Sequence, residues 1–301
     1  MNTLSSEQKL HSCLTIDVEE YFHIEAAHGH VSKSQWDKMP SRVANSVHKL
    51  LELMSRHNCQ ATFFILGDVA KRCPQLAKTI VDAGHEVASH GTNHDRLHRL
   101  NAVSFAQDLT ISKKILEDQT GQAVLGYRAP TFSVVPQTAW AIDVLLNAGF
   151  AYDASIFPVM HPAYGVPDAP TQPFYVTGPS GRQLLEVPPL TWNVVNKNVA
   201  VAGGGYFRLL PLWFMKRGLK QSLSQNRPAV LYFHPWEFDP DIPRLPLPLT
   251  GRLRTYIGLR SAMRKLDHIL SLPGRQWTTM SSNLDHFREI AGGGLPYALA
   301  A

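Results

Sequence analysis

The sequence predicts an α/β fold, with parallel strands wound by helical crossovers into a doubly wound sheet or a barrel. Three observations carry this expectation. Short apolar runs alternate with amphipathic helical patterns along most of the chain. Gly and Pro punctuate the short connections between them. The length of 301 residues suits one α/β barrel, which often runs to ~250 residues as a single unit.

Cys13–Val18 reads as the first strand, and Ser41 offers an N-cap to a helix with Val43, Val47, Leu50, Leu51 and Met54 on one stripe. Ala61–Leu66 is a second strand. Asp68–Ala83 follows as a helix, with Gly84 where a left-handed stop would sit. Glu86–Ser89 is a third strand, a helix runs over about Ala102–Gln119 before Gly121, and Ala123–Tyr127 is a fourth strand. Pro136 opens another helix at a first-turn position where its missing N–H is harmless, and Gly149 closes it. From Phe157 to Pro189 the pattern breaks into a Pro-rich stretch, read as a long loop around a site. Leu184–Val187 and Val230–Phe233 restore strand character, and a last helical segment, Tyr256–Leu270, comes after the Pro-rich turn Ile242–Pro248. The expected organisation is one domain over residues 1–238 and a helical extension over 239–301 packed on it.

Lys and Arg number 29 against 24 acidic residues, a mild excess not gathered into basic runs. Nucleic-acid binding is therefore not expected, although the excess could help attract an anionic polymer. Cys13, Cys59 and Cys73 form no CxxC pair, which argues against a disulfide framework and suits a reducing compartment. Met1–Lys9 is polar, with no signal-type apolar region, and no run approaches the ~20 apolar residues of a transmembrane segment. A soluble cytoplasmic protein is the expectation. Nothing in the sequence specifies an oligomeric state.

Four clusters of chemical interest each follow a strand, where α/β barrels assemble their sites. In Thr15-Ile16-Asp17-Val18-Glu19-Glu20, the strand period of two puts Asp17 and Glu19 on one side. Two converging carboxylates need a cation or proton between them. His90-Gly91-Thr92-Asn93-His94 puts two imidazoles on one face if the segment turns helically. An isolated pair of this spacing is commonplace, but two His with a carboxylate and open positions make a catalytic metal set. In Gly126-Tyr127-Arg128-Ala129-Pro130-Thr131, Arg128 can hold a carboxylate in fixed orientation, and Pro130 stiffens the turn so that the Thr131 N–H can face a ligand. His234, ending the apolar run Leu231-Tyr232-Phe233, is a candidate acid or base. Trp192, Tyr206, Phe207, Trp213 and Trp236 could stack on sugar faces, although core packing is the ordinary role of such rings. Trp236, two residues past His234, is the one expected to line the cleft. Gly203–Gly205 lacks a phosphate-loop signature and reads as a flexible turn.

The ordered motifs TIDVEEYFH, GHEVASHGTNH, GYRAPTFS, YDASIFP, AGGGYFRLLP and YFHPWEFDP resemble the NodB-homology polysaccharide deacetylases, carbohydrate esterase family 4. More narrowly they resemble the subgroup associated with exopolysaccharide loci and exosortase/PEP-CTERM systems, which carries a C-terminal extension. The resemblance implies a distorted (β/α) barrel that uses a divalent metal, Zn2+ foremost, to remove N-acetyl groups from a polysaccharide or oligosaccharide. By the same resemblance Asp17 matches the catalytic base, His90 and His94 the metal-binding histidines, and Arg128 the arginine that orients the base. The Thr131 N–H matches the oxyanion donor, His234 the general acid, and Asp153 the residue that supports that acid. The first motif departs from the family's TFDDG, because Val18 stands in the slot of the metal-binding Asp. Relatives with an Asp-Val-Asp arrangement place the ligand one residue later, which is Glu19 here. Glu20 competes, and the strand period favours Glu19. Two other functions share the pattern: a small amide or ureide hydrolase of the allantoinase-like type, and a catalytically silent carbohydrate-binding protein.

Overall fold

Strand β1 (Leu10–Val18) anchors the sheet, with every residue except His11 buried. A strand buried on both faces must be covered on both faces, which parallel pairing with helical crossovers achieves. The computed structural model describes residues 10–161 and 164–299. The expectations for Met1–Lys9, and the part of the Phe157–Pro189 loop at 162–163, lie outside the described residues.

After β1 come α1 (Val43–Arg56), β2 (Ala61–Ile65), α2 (Gly67–Arg72), α3 (Leu76–Asp82), β3 (Glu86–Ser89), α4 (Ala102–Thr120), β4 (Gly126–Tyr127), α5 (Trp140–Asn147) and β5 (Tyr152–Asp153). The second half adds β6 (Phe174–Thr177), β7 (Gln183–Glu186), β8 (Thr191–Val194), β9 (Lys197–Ala200), α6 (Gly204–Leu209), α7 (Trp213–Ser224) and β10 (Val230–Phe233). The chain ends with α8 (Leu249–Tyr256), α9 (Leu259–Leu270), β11 (Arg275–Thr278), α10 (Leu284–Gly292) and β12 (Tyr297–Ala298).

The main sheet runs β10-β1-β2-β3-β4-β5-β7-β6-β12, with β11 also pairing with β1. Its pairs are parallel except β6 with β7. This is the mixed α/β fold with a parallel sheet that the sequence predicts. The strand path is not joined end to end among the described residues. Parallel pairing brings the carboxyl ends of β1, β3, β4, β5 and β10 to one edge, and the chemically suggestive clusters follow those ends. No helix among the described residues is long and apolar enough to cross a membrane.

Several elements differ from expectation for local reasons. The helix expected over Asp68–Ala83 is two helices, because Pro74 disfavours helical geometry at Cys73, which takes φ −125° and ψ 69°. The segment expected over Tyr256–Leu270 is likewise split, into α8 and α9, at extended Ile257 and left-handed Gly258 (φ 82°). A Cβ at Gly258 would lie 2.6 Å from the Arg208 carbonyl oxygen, so glycine is needed for this close approach. Ser41 is not the N-cap of α1. The Glu20 carboxylate accepts from the Arg42 and Val43 N–H groups at 3.0 and 3.2 Å and from the Ser41 hydroxyl. Pro136 opens a 3-10 turn, Pro136–Thr138, ahead of α5. The β8–β9 hairpin turns at Val195 and Asn196, both at positive φ, without the Asn-Gly signal that marks such turns in sequence. From residue 239 onward the chain supplies α8 to α10 and the two strands β11 and β12.

Candidate active site

Asp17 sits near the end of β1 with its carboxylate divided between two neighbours. Oδ1 accepts from Arg128 Nη1 at 2.7 Å, and Oδ2 lies 3.9 Å from His234 Nε2. Arg128 is wholly buried, donates also to the Thr15 hydroxyl (2.6 Å) and the Ala154 carbonyl (3.1 Å), and lies 4.2 Å over the Phe64 ring. A buried guanidinium held on so many sides is a fixed charge, and it fixes Asp17 with it.

Glu19 follows the strand, and its Oε1 accepts from the Trp236 indole N–H at 2.9 Å. Oε2 lies 2.8 Å from His94 Nε2 yet makes no hydrogen bond of acceptable geometry. Burial alone would raise the Glu19 carboxyl, but the charges of His94 and His234 outweigh it and draw it below the usual carboxylate range.

The two histidines converge without a helix. Gly91 (φ 77°) and His94 (φ 57°) are both left-handed, so the loop folds back on itself. A left-handed histidine is uncommon outside turns, and such backbone gathers at functional sites. Asp108 of α4 pins the loop by accepting from the Thr92 N–H at 3.0 Å. His90 Nδ1 lies 2.8 Å from the Arg128 carbonyl, which makes Nδ1 the protonated nitrogen and leaves the Nε2 lone pair for a ligand. Burial pushes His90 down to about 4, so the neutral form that can bind a metal prevails at ordinary pH. Ligand atoms from Glu19, His90 and His94 lie within 4.8 Å of one another. Two imidazole nitrogens and a carboxylate suit a divalent cation, and the orphaned Glu19 Oε2 is the buried acceptor that such an ion would satisfy. Glu20, the rival in the sequence, is spent on capping α1.

His234 closes the opposite side. Its Nδ1 lies 3.1 Å from Glu237 Oε2, its ring stacks on Trp236 at 5.5 Å, and Nε2 lies 3.8 Å from Glu19 Oε1. Burial works against its protonation, but the Glu19 charge and the Glu237 hydrogen bond raise it to about 9. Glu237 is itself buried and held by Arg208 Nε at 2.7 Å. The carboxylate beside His234 is therefore Glu237, three residues along the same turn, and not Asp153. Asp153 takes the Ser155 hydroxyl at 2.5 Å and is paired with buried Glu186. Burial raises both carboxyls, Asp153 to about 6. Among the described residues no hydrogen bond or ion pair joins Asp153 to His234, and its side chain is turned into this interior network.

Asp17, Glu19, His90, His94, Thr131, His234 and Trp236 line one cleft of about 170 Å³. Thr131 (φ 58°, ψ 30°) turns the backbone at the cleft wall after Pro130. Trp236 is cleft wall and Glu19 partner together. Sequence reasoning missed Glu237 and Arg208, and also Tyr164, which lines the cleft and stacks on His161 at 3.8 Å. The Glu three residues after His234 was a usable signal, since a side chain at that spacing can return to the turn it follows. Arg208 is 29 residues from its partner and left none.

Residues 28–152 match a family model described as polysaccharide deacetylase, and residues 154–285 match a domain of unknown function, DUF3473. A peptidoglycan deacetylase of Helicobacter pylori is 34% identical over 110 residues, covering 36% of this chain and 36% of that protein. A peptidoglycan-N-acetylglucosamine deacetylase of Bacillus cereus is 30% identical over 96 residues, 32% of this chain and 35% of that protein. The match thus spans about a third of the length of these relatives. A solved structure described as a polysaccharide deacetylase from Mycobacterium smegmatis has a TM-score of 0.68 at 21% identity, covering 99% of this chain and 96% of that one. A solved allantoinase has a TM-score of 0.58 at 16% identity, covering 92% and 89%. At these identities the structures share the fold.

Proposed function

With the polysaccharide deacetylase family (NodB homology, carbohydrate esterase family 4) supported by the family model and the curated relatives, we propose that this chain is a metal-dependent hydrolase removing N-acetyl groups from a polysaccharide. The substrate we assign is an exopolysaccharide or its precursor, following the motif resemblance to the exopolysaccharide subgroup. The observation that carries the reading is the convergence of Glu19, His90 and His94 with Asp17 on one side and His234 on the other.

A divalent cation on Glu19, His90 and His94 would lower the pKa of water and polarise the amide carbonyl. Zinc is the ion we propose, since imidazole and carboxylate are its ordinary donors. Asp17 Oδ2, the oxygen not taken up by Arg128, receives the proton of the attacking water. The Thr131 N–H stabilises the developing oxyanion. His234, whose protonated form the Glu237 carboxylate favours through Nδ1, donates to the departing amine nitrogen, which makes a poor leaving group a tolerable one. Glu237 orients His234 through Nδ1, leaving Nε2 to face the substrate.

The test is acetate release from N-acetylated oligosaccharides by the purified, zinc-loaded chain. Turnover that is lost in Asp17→Asn and rises with oligosaccharide length is expected. No acetate from any oligosaccharide, or release indifferent to Asp17→Asn, would contradict the proposal. Equal turnover of short amides and long glycans would favour the small-amide hydrolase.

A further inference from the structure

Charge is spread unevenly along this chain. Residues 187–266 hold twelve Lys and Arg against three acidic residues, more than the whole net charge of +5. Two of those acids, Glu237 and Asp239, are buried and paired with Arg208 and Arg42. Arg217, Lys220, Arg244, Arg252, Arg254, Arg260 and Arg264 are exposed.

Among the described residues, the same segment holds most of the large apolar side chains left in water. Leu249, Leu253 and Ile257 are 71%, 49% and 44% exposed, and their spacing of four puts them on one stripe along α8 and its end. Tyr206 and Leu209 of α6 and Trp213 at the start of α7 are exposed as well. Helices α6 and α8 are fastened side by side, because Arg208 donates to the carbonyls of Arg254 (2.8 Å), Thr255 (3.1 Å) and Ile257 (2.8 Å). This face adjoins the cleft, since α8 packs against the turn Glu25–Ala27, whose Glu25 lines the cleft.

We propose that α6, the start of α7 and α8 form a peripheral docking face for an anionic lipid bilayer. Leu209, Leu249, Leu253 and Ile257 enter the acyl boundary, Trp213 and Tyr206 sit at its edge, and Arg252 and Arg254 of α8 meet the headgroups. The aliphatic character of the stripe selects lipid over an anionic glycan, whose sugar faces call for aromatic platforms. The positive surround selects an anionic leaflet over a neutral one. Docking in this pose brings the cleft to the membrane surface.

The test is flotation of the full chain with vesicles of phosphatidylcholine alone and of phosphatidylcholine with phosphatidylglycerol in equal parts. Binding to the anionic vesicles only is expected. Replacing Arg252 and Arg254 by Ala should weaken it by roughly 25-fold, about fivefold for each arginine. Replacing Leu249 and Leu253 by Ser keeps every charge and should weaken it by about tenfold or more. Failure to float with anionic vesicles overturns the proposal. So does binding indifferent to the leucine pair, which would mark mere basic adhesion. Loss of self-association in the leucine variant, without vesicle binding by the parent chain, assigns the face to a second copy and also overturns it. No sugar substrate enters the assay, so its outcome is independent of the catalytic reading.

Discussion

Replacing Glu237 by Gln separates the role of this residue from that expected of Asp153. Both partners of the Glu237 carboxylate are donors: Arg208 Nε at 2.7 Å on Oε1, and His234 at Nδ1 (3.1 Å) and its backbone N–H (3.0 Å) on Oε2. An amide offers one oxygen and one N–H2, so one side must meet donor with donor. The lost charge-assisted bond to His234 is worth about 1.5–3 kcal/mol, which corresponds to roughly 10- to 100-fold in kcat if His234 is the acid. Without the carboxylate, burial opposes protonation of His234 with less resistance. Its pKa falls, and the alkaline limb of the kcat profile moves to lower pH. Arg208, also buried, keeps its three carbonyl acceptors but loses its counter-charge, so stability drops by about 3 kcal/mol. Asp153→Asn should leave the alkaline limb in place, because His234 Nδ1 faces Glu237 and no hydrogen bond or ion pair among the described residues joins it to Asp153. The assay is acetate release against pH for both variants, with bound metal quantified and thermal melting recorded. A Glu237→Gln enzyme with parental kcat and profile, or an Asp153→Asn enzyme with a shifted alkaline limb, would refute the assignment.

Glu20→Ala should cost about 1–2 kcal/mol in denaturant unfolding, by uncapping α1, while bound metal stays unchanged. Metal loss in that variant would return Glu20 to the ligand set. His94→Ala, by contrast, should lower metal stoichiometry measured after dialysis, and chelation of the parent chain should abolish acetate release. Buried His85 accepts the Ala61 N–H on Nδ1 at 3.1 Å, and burial pushes it down to about 4 from 6.5. Its folded pKa is depressed, so the stability it lends is full above about 6.5 and drains as pH falls towards 4. Melting temperature against pH should decline over that window, and less steeply in His85→Asn; an unchanged slope would remove His85 as the cause.

Most of the fold was legible because its signals are local. The apolar runs of β1, β2, β3 and β10 and the stripe of α1 follow from side-chain period alone. The breaks at Cys73 and Gly258 were also written locally, in Pro74 and in a glycine, but helical periodicity on either side masked them. The strand β11 was not legible, since Arg275, Trp277 and Thr278 are buried where it pairs with distant β1 and carry no strand signal of their own. The site divides in the same way. Asp17 stood out at the end of a strand, and Glu19, His90, His94 and His234 because they lie just past strand ends. The route by which His90 and His94 meet did not, because it depends on left-handed backbone at Gly91 and His94 rather than on a helix. The placements of Glu20 and Asp153 depend on partners that the local sequence does not show, the α1 N-terminus for one and the Ser155 and Glu186 side chains for the other.

The most direct test is the anomalous difference map of a zinc-soaked crystal of this chain. The account predicts a single strong peak at ~2.0–2.2 Å from a Glu19 oxygen, His90 Nε2 and His94 Nε2, with Asp17 and His234 close by but outside bonding distance. A peak held by Glu20 or Asp153, or no peak among these three residues at saturating zinc, would contradict it.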